Sequence, residues 1–281
     1  GMKNEKRKEW GESLNGGALQ FCNLPLNYES KSSVKIAYRH RIPKEESSTF
    51  IATKILWLGG YRSIMDGEKA RAIDAAAEQK CWEFLRFDYS GHGESGGDFA
   101  EGNLTQWVFE AEKMLAKLLA SIEYKVPSNK DEEPPLLIVG SSMGAWIALL
   151  LAARFLEKEP EAKVNLLLIA PAADFTHHLL PKRYPSELWE TLADRGVIYQ
   201  KAYGENQPLY YQFVQDAEKH LILNDRMLSS LRERAINITI LHGTDDEVIP
   251  LAYGRQIAEH LTKVCNNGEV DFQVVQQGDH R

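Results

Sequence analysis

Cysteine is scarce in this sequence: Cys22, Cys81 and Cys265 are the three in 281 residues. They lie far apart and form no C-x-x-C pair. So sparse and odd a set argues against a disulfide framework or a zinc site and fits a reducing compartment. Cys81 precedes the apolar run Phe84–Phe87 and reads as a buried, inert thiol. Long apolar runs are also missing, so nothing reaches the length of a membrane span. The N-terminus, Gly1–Trp10, is charged and lacks the apolar centre of a secretory signal. Gly1 ahead of Met2 reads as the scar of a cleaved purification tag. With no targeting segment visible, a cytoplasmic location is expected. Positive charge is not in excess either: 33 Lys and Arg face 40 Asp and Glu, a net charge of −7. That balance argues against a nucleic-acid binder. Internal repeats are absent.

What is present is an alternation of short apolar runs and longer helical patterns. It implies β-α-β units and a mainly parallel sheet. With 43% hydrophobic and 26% charged residues, the composition is that of a soluble globular protein. Residues 1–29 read as irregular. Ser33–Tyr38 alternates as an edge strand, and Pro43–Ser48 is a polar turn. Lys54–Leu58 is a buried strand ending at Gly59-Gly60. A helix is expected over Asp66–Lys80, a strand over Trp82–Asp88 and a long amphipathic helix over Leu104–Tyr124. Pro127–Pro135 is a charged loop. Leu136–Val139 is a strand, and Ala145–Leu156 is a helix apolar nearly all round. Val164–Ile169 follows as a strand. From Ala172 to about Ala235 strand-like runs vanish, which reads as a helical cap inserted into the domain. The pattern then resumes with a strand at Ile236–Leu241, a helix at Tyr253–Lys263 and a strand at Val270–Val275.

The chemistry centres on Gly140-Ser141-Ser142-Met143-Gly144. A serine in G-x-S-x-G between a buried strand and a helix is the pattern of a nucleophile elbow. The glycines let neighbouring elements approach where a side chain would clash. A serine hydroxyl is a weak nucleophile and needs a base, which in turn needs an orienting carboxylate. Downstream of Ser142 these occur in the order acid, then histidine. The acid is Asp245 or Asp246, in the loop after a strand; His280 follows the last strand. Ile249 and Pro250 fall in the register H-G-x-x-D-x-x-[VI]-P, which favours Asp246. Asp245 then has a turn or capping role. For the oxyanion, one backbone N–H is expected from Met143 and the other from Tyr61, or else Gly60, after the early strand.

Other motifs have plainer readings. Gly91–Gly96 matches G-x-G-x-x-G but does not open into a helix, so it reads as a tight loop near the site's rim. Asp88 and His92 there are expected to be structural, with His92 a rival base. His177-His178 reads as cap surface, since adjacent helical histidines diverge and no further ligand completes a metal site. His242, on the acid's own loop, reads as structural. The cap aromatics Tyr199, Tyr203, Tyr210, Tyr211 and Phe213 read first as packing and second as an acyl-pocket lining.

From about residue 34 onward the chain resembles the α/β-hydrolase superfamily. Within it, the chain is similar to the subgroup of the mitochondrial palmitoyl-protein thioesterase and acyl-glucuronide esterase. The matching stretches include Arg86-Phe87-Asp88-Tyr89-Ser90-Gly91, Gly140-Ser141-Ser142-Met143-Gly144-Ala145-Trp146 and Asp279-His280-Arg281. The resemblance implies an α/β-hydrolase fold over 30–281, with a mostly parallel sheet flanked by helices and a cap at 172–235. It implies Ser142, Asp246 and His280 as the triad, and cleavage of esters or thioesters with apolar acyl groups. The substrate would be a small molecule or an acylated protein, with no cofactor or metal. Such proteins carry a helix after the histidine, whereas this sequence stops at Arg281; an exposed sheet face and a mobile His280 loop are therefore expected. A peptidase, a carbon–carbon bond hydrolase and a non-catalytic binding protein on the same fold remain open.

Overall fold

The apolar runs become the strands of one sheet. The computed structural model describes residues 17–43, 53–121, 136–202, 205–224, 227–232 and 234–280. In chain order the first elements are β1 (Leu19–Pro25), β2 (Ser33–Arg41), β3 (Lys54–Leu58), α1 (Glu68–Gln79) and β4 (Glu83–Phe87). Next come α2 (Leu104–Ala120), β5 (Leu136–Ser141), α3 (Met143–Lys158) and β6 (Val164–Ile169). The inserted segment holds α4 (Phe175–His178), α5 (Leu180–Arg183), α6 (Ser186–Arg195), β7 (Val197–Ala202), β8 (Glu205–Tyr210) and α7 (Tyr211–Ala217). Then follow β9 (Asn237–Gly243), α8 (Leu251–Val264) and β10 (Glu269–Val275).

The eight-stranded sheet has the order β1-β2-β4-β3-β5-β6-β9-β10. β2 pairs antiparallel with both β1 and β4. The pairings from β4 through β10 are parallel. Parallel strands need covered faces, and β3 and β4 are buried throughout. The larger core cluster packs α2, α3 and α8 on one face; a smaller one packs Ala70 and Ala77 of α1 against Ile55, Trp57, Phe84 and Val139 on the other. Farther along the α1 face, Leu137, Leu167 and Ile169 are only half-buried beside that cluster. α3 is buried from Met143 to Ala153, as its apolar sequence requires. Chemistry-bearing loops thus leave the carboxyl ends of β3, β5, β9 and β10, the edge where parallel sheets build sites.

Three expectations need correction. Residues 19–25 are not irregular but form β1, whose register with β2 runs from Leu19–Arg39 to Pro25–Ser33. This edge strand buries none of its side chains fully, so main-chain pairing rather than an apolar pattern defines it. The inserted segment is not purely helical, because β7 and β8 form an antiparallel hairpin. Its strands carry Gln200, Asn206 and Gln207, with Pro208 opposite Tyr199, a composition that hides strand character. Cys81 is exposed, because its φ of 54° turns the chain sharply between α1 and β4. The turn expected over 43–48, apart from Pro43, the loop over 127–135 and Tyr203 lie outside the described residues.

Candidate active site

Ser142 sits between β5 and α3 with φ 57° and ψ −119°, a conformation that costs a non-glycine residue free energy. The surroundings over-determine it. Its N–H donates to the Ile169 carbonyl at 2.9 Å, and its own carbonyl accepts from Ala145 N at 3.0 Å and Ala172 N at 3.1 Å. The flanking glycines are sterically required. A Cβ at Gly140 would lie 2.3 Å from the Gly144 carbonyl oxygen, and one at Gly144 would lie 2.1 Å from that of Leu58.

The structure brings His280 and Asp246 to this serine. The Ser142 hydroxyl is 3.0 Å from His280 Nε2 and donates to it. His280 Nδ1–H donates to Asp246 Oδ2 at 2.7 Å. The other Asp246 oxygen accepts the N–H groups of Val248 at 2.9 Å and Ile249 at 2.7 Å. Burial alone would raise the Asp246 pKa; the hydrogen bond and charge of His280 bring it below the ordinary value. Asp245 is exposed and bonds Thr244, while its N–H donates to the Gly278 carbonyl. Of the two acids, Asp246 is the one at the histidine.

The Gly59–Gly67 loop passes directly behind the serine. A Cβ on Gly60 would stand 3.2 Å from Ser142 Cβ and from the Ser141 oxygen. Asp88 holds this loop by accepting Met65 N at 2.6 Å, and accepts Glu94 N at 2.9 Å. His92 Nε2 accepts Arg62 N at 3.1 Å, while Nδ1–H donates to the Ser90 carbonyl. Burial pushes the His92 pKa down to about 4, so the ring is a neutral acceptor at neutral pH. His92 is thus occupied on both nitrogens in orienting the loop. His242 likewise bonds the Ile249 carbonyl and shapes the acid's turn. His177 pairs with Glu218 within the segment between β6 and β9. Among the described residues no three His, Cys, Asp or Glu side chains gather as a metal-ligand group.

A cavity of about 200 Å³ opens at the serine, and Ser142, His280, Tyr61 and Met143 line it. Phe175, Leu179 and Leu180 from the inserted segment and Ile249 from the acid loop supply apolar wall. Arg183, Gln200, Gln207 and Glu247 add polar groups. Tyr61 links this floor to the hairpin, its hydroxyl donating to the Pro208 carbonyl at 3.1 Å. Of the aromatics between β6 and β9, Phe213 is buried against Tyr61, Trp107 and Phe175, whereas Tyr199 is exposed. The sequence reading missed Arg183, Gln200 and Gln207, which sit in the least patterned stretch. It also missed Lys69 on α1, whose Nζ donates to the His280 carbonyl at 2.5 Å.

A mainly parallel sheet with an elbow serine after β5, an acid after β9 and a histidine after β10, all on its carboxyl edge, defines a protein of the α/β-hydrolase class. The chain belongs to the alpha/beta hydrolase family, whose sequence pattern matches residues 56–280. It is 32% identical to the mouse mitochondrial palmitoyl-protein thioesterase ABHD10, across 81% of this chain and 68% of that protein. The human counterpart is 29% identical, across 81% of this chain and 66% of its own length. A crystal structure of an Agrobacterium vitis protein matches with a TM-score of 0.72 at 28% identity, covering 94% of this chain and 92% of that one. Mouse ABHD10 matches with a TM-score of 0.65 at 26% identity, covering 94% and 91%. The relatives' names place them in mitochondria, which does not match the cytoplasmic location expected from the sequence. No helix among the described residues is long and apolar enough to cross a membrane.

Proposed function

We propose that this hydrolase cleaves carboxylic esters or thioesters with apolar acyl groups through a covalent acyl-serine. The observation carrying the reading is the Ser142–His280–Asp246 chain of hydrogen bonds opening onto an apolar-walled cavity. Ser142 Oγ attacks the acyl carbonyl carbon while His280 Nε2 takes the hydroxyl proton. Asp246 steadies the imidazolium. The backbone N–H groups of Met143 and Tyr61, with Gly60 as the alternative to Tyr61, hold the oxyanion. Collapse breaks the carbon–oxygen or carbon–sulfur bond, and His280 returns its proton to the leaving group. Water then attacks the acyl-serine with His280 as base, which frees the acid and restores the hydroxyl. The scheme uses the chain's own groups and water, with no cofactor or metal.

Residues 172–235 act as a cap in this reading, because Phe175, Leu179 and Leu180 close one side of the cavity. The palmitoyl-protein thioesterase relatives support an acylated protein as one substrate class beside small-molecule esters. A fluorophosphonate probe is the decisive test. Wild type should be labelled at Ser142 and Ser142→Ala should not; an unlabelled wild type sinks the reading. A panel of p-nitrophenyl esters, acyl thioesters and peptides then ranks substrates, and peptide cleavage without esterase activity overturns the ester assignment.

A further inference from the structure

We propose that Lys69 is a positioning residue for His280, pinning the histidine's main chain from across the sheet edge; this rests on the serine-hydrolase reading above. The His280 loop is anchored on one side by the acid loop. Asp245 N donates to the Gly278 carbonyl at 2.9 Å, and Gln277 N donates to Thr244 Oγ1 at 2.9 Å. Those bonds stop short of His280 itself. From the opposite side, Lys69 Nζ reaches the His280 carbonyl oxygen at 2.5 Å. The lysine stands in the first turn of α1, directly after the Gly59–Gly67 loop that backs Ser142. One side chain therefore joins the loop that backs the nucleophile to the loop that carries the base.

Two further observations set Lys69 apart from an ordinary surface lysine. A cation in the first helical turn opposes the helix dipole, so its position needs a tertiary reason. The ammonium is also partly withdrawn from water, so burial lowers its pKa, an effect that the carboxylates of Asp246, Asp279 and Glu68 counter only in part. A partly desolvated cation donating to a carbonyl makes a strong, directional bond. Its direction fixes the peptide at His280 and thereby the path of the imidazole between Asp246 and Ser142. Loss of such a tether matters for turnover because misplacement by about 1 Å costs on the order of a hundredfold in rate.

The test compares wild type, Lys69→Met and Lys69→Arg in p-nitrophenyl ester kinetics, fluorophosphonate labelling rate and thermal melting. Lys69→Met should lower kcat by roughly ten- to a hundredfold, with KM changed less than about threefold, and slow labelling by a similar factor. Lys69→Arg, which keeps a donor and a charge, should recover most of the loss. Lys69→Leu, which likewise has no donor, takes the place of the methionine variant if that variant does not fold. Wild-type kcat and labelling rate in a folded Lys69→Met protein overturn the proposal, as does an arginine variant as slow as the methionine one. An unlabelled wild type removes the serine-hydrolase reading instead, so the two failures are distinct.

Discussion

His280 Nδ1 lies 2.7 Å from Asp246 Oδ2, while Asp245, one residue earlier, turns to solvent and accepts the Thr244 hydroxyl. Asp246 spends its second oxygen on the N–H groups of Val248 and Ile249, so its carboxylate is fixed before any substrate arrives. The pair predicts a sharp contrast. Asp246→Asn should cut kcat by roughly 10³–10⁴, because an amide facing Nδ1 favours the wrong tautomer. Asp245→Asn should stay within about twofold, as exposed turn substitutions generally do little. Steady-state kinetics on one ester settles it, and equal losses at both positions would contradict the assignment of the acid.

How far the site was legible follows from where each residue draws its signal. Ser142 and Asp246 could be placed because each follows an apolar strand, and His280 because it follows the alternating run Val270–Val275. Gly140 and Gly144 were readable because a Cβ at either position collides with backbone. Lys69 was not, since a lysine in an amphipathic helix looks like a solvated face. The ion pairs of Arg86 went unforeseen for a related reason: a charge inside β4 gives no hint that Asp74 and Asp66 come to meet it. The β7–β8 hairpin escaped because its buried apolar pair is Ile198 opposite Leu209, flanked by polar residues and Pro208, too short a signal to mark a strand.

His92 gives a pH test. Its folded pKa is depressed to about 4 from an ordinary 6.5, so between those values the unfolded chain binds a proton that the folded one refuses. Stability therefore rises with pH across this window and falls as pH drops through it. The shift corresponds to about 3 kcal/mol. In urea titrations at pH 7 and pH 4.5, His92→Gln should be less stable than wild type at pH 7 and lose less stability on acidification. Parallel losses in the two proteins would show that His92 does not titrate this way.

Two glycines separate contact from conformation. A Cβ on Gly144 would lie 2.1 Å from the Leu58 carbonyl oxygen and 2.5 Å from that of Gly59, whereas a Cβ on Gly196 meets nothing within 4 Å and faces only a φ of 76°. Gly144→Ala should cost roughly 3 kcal/mol or more, since backbone must move to relieve the clash. Gly196→Ala should cost about 1–2 kcal/mol, the penalty of the left-handed region alone. Denaturant melts of both variants measure the gap, and equal costs would mean that the elbow yields more easily than its packing implies.

If residues 172–235 cap the site and select substrate, chain length is the readout. Leu179 is half-buried and lines the cavity beside Phe175 and Leu180, on the segment inserted after β6. If an acyl chain lies against this wall, each added methylene that leaves water gains about 0.8 kcal/mol in the transition state. For wild type, kcat/KM should therefore climb from acetate toward longer p-nitrophenyl esters until the cavity is filled. Leu179→Asn replaces apolar wall with a polar amide while leaving Ser142, His280 and Asp246 untouched. It should lower the octanoate-to-acetate ratio by roughly tenfold, about 1.4 kcal/mol, and change acetate turnover by less than about threefold. A lost ratio with intact acetate activity places the acyl chain under the cap. An unchanged ratio places it elsewhere, and equal losses on both esters mean that Leu179 supports the site's architecture rather than its selectivity.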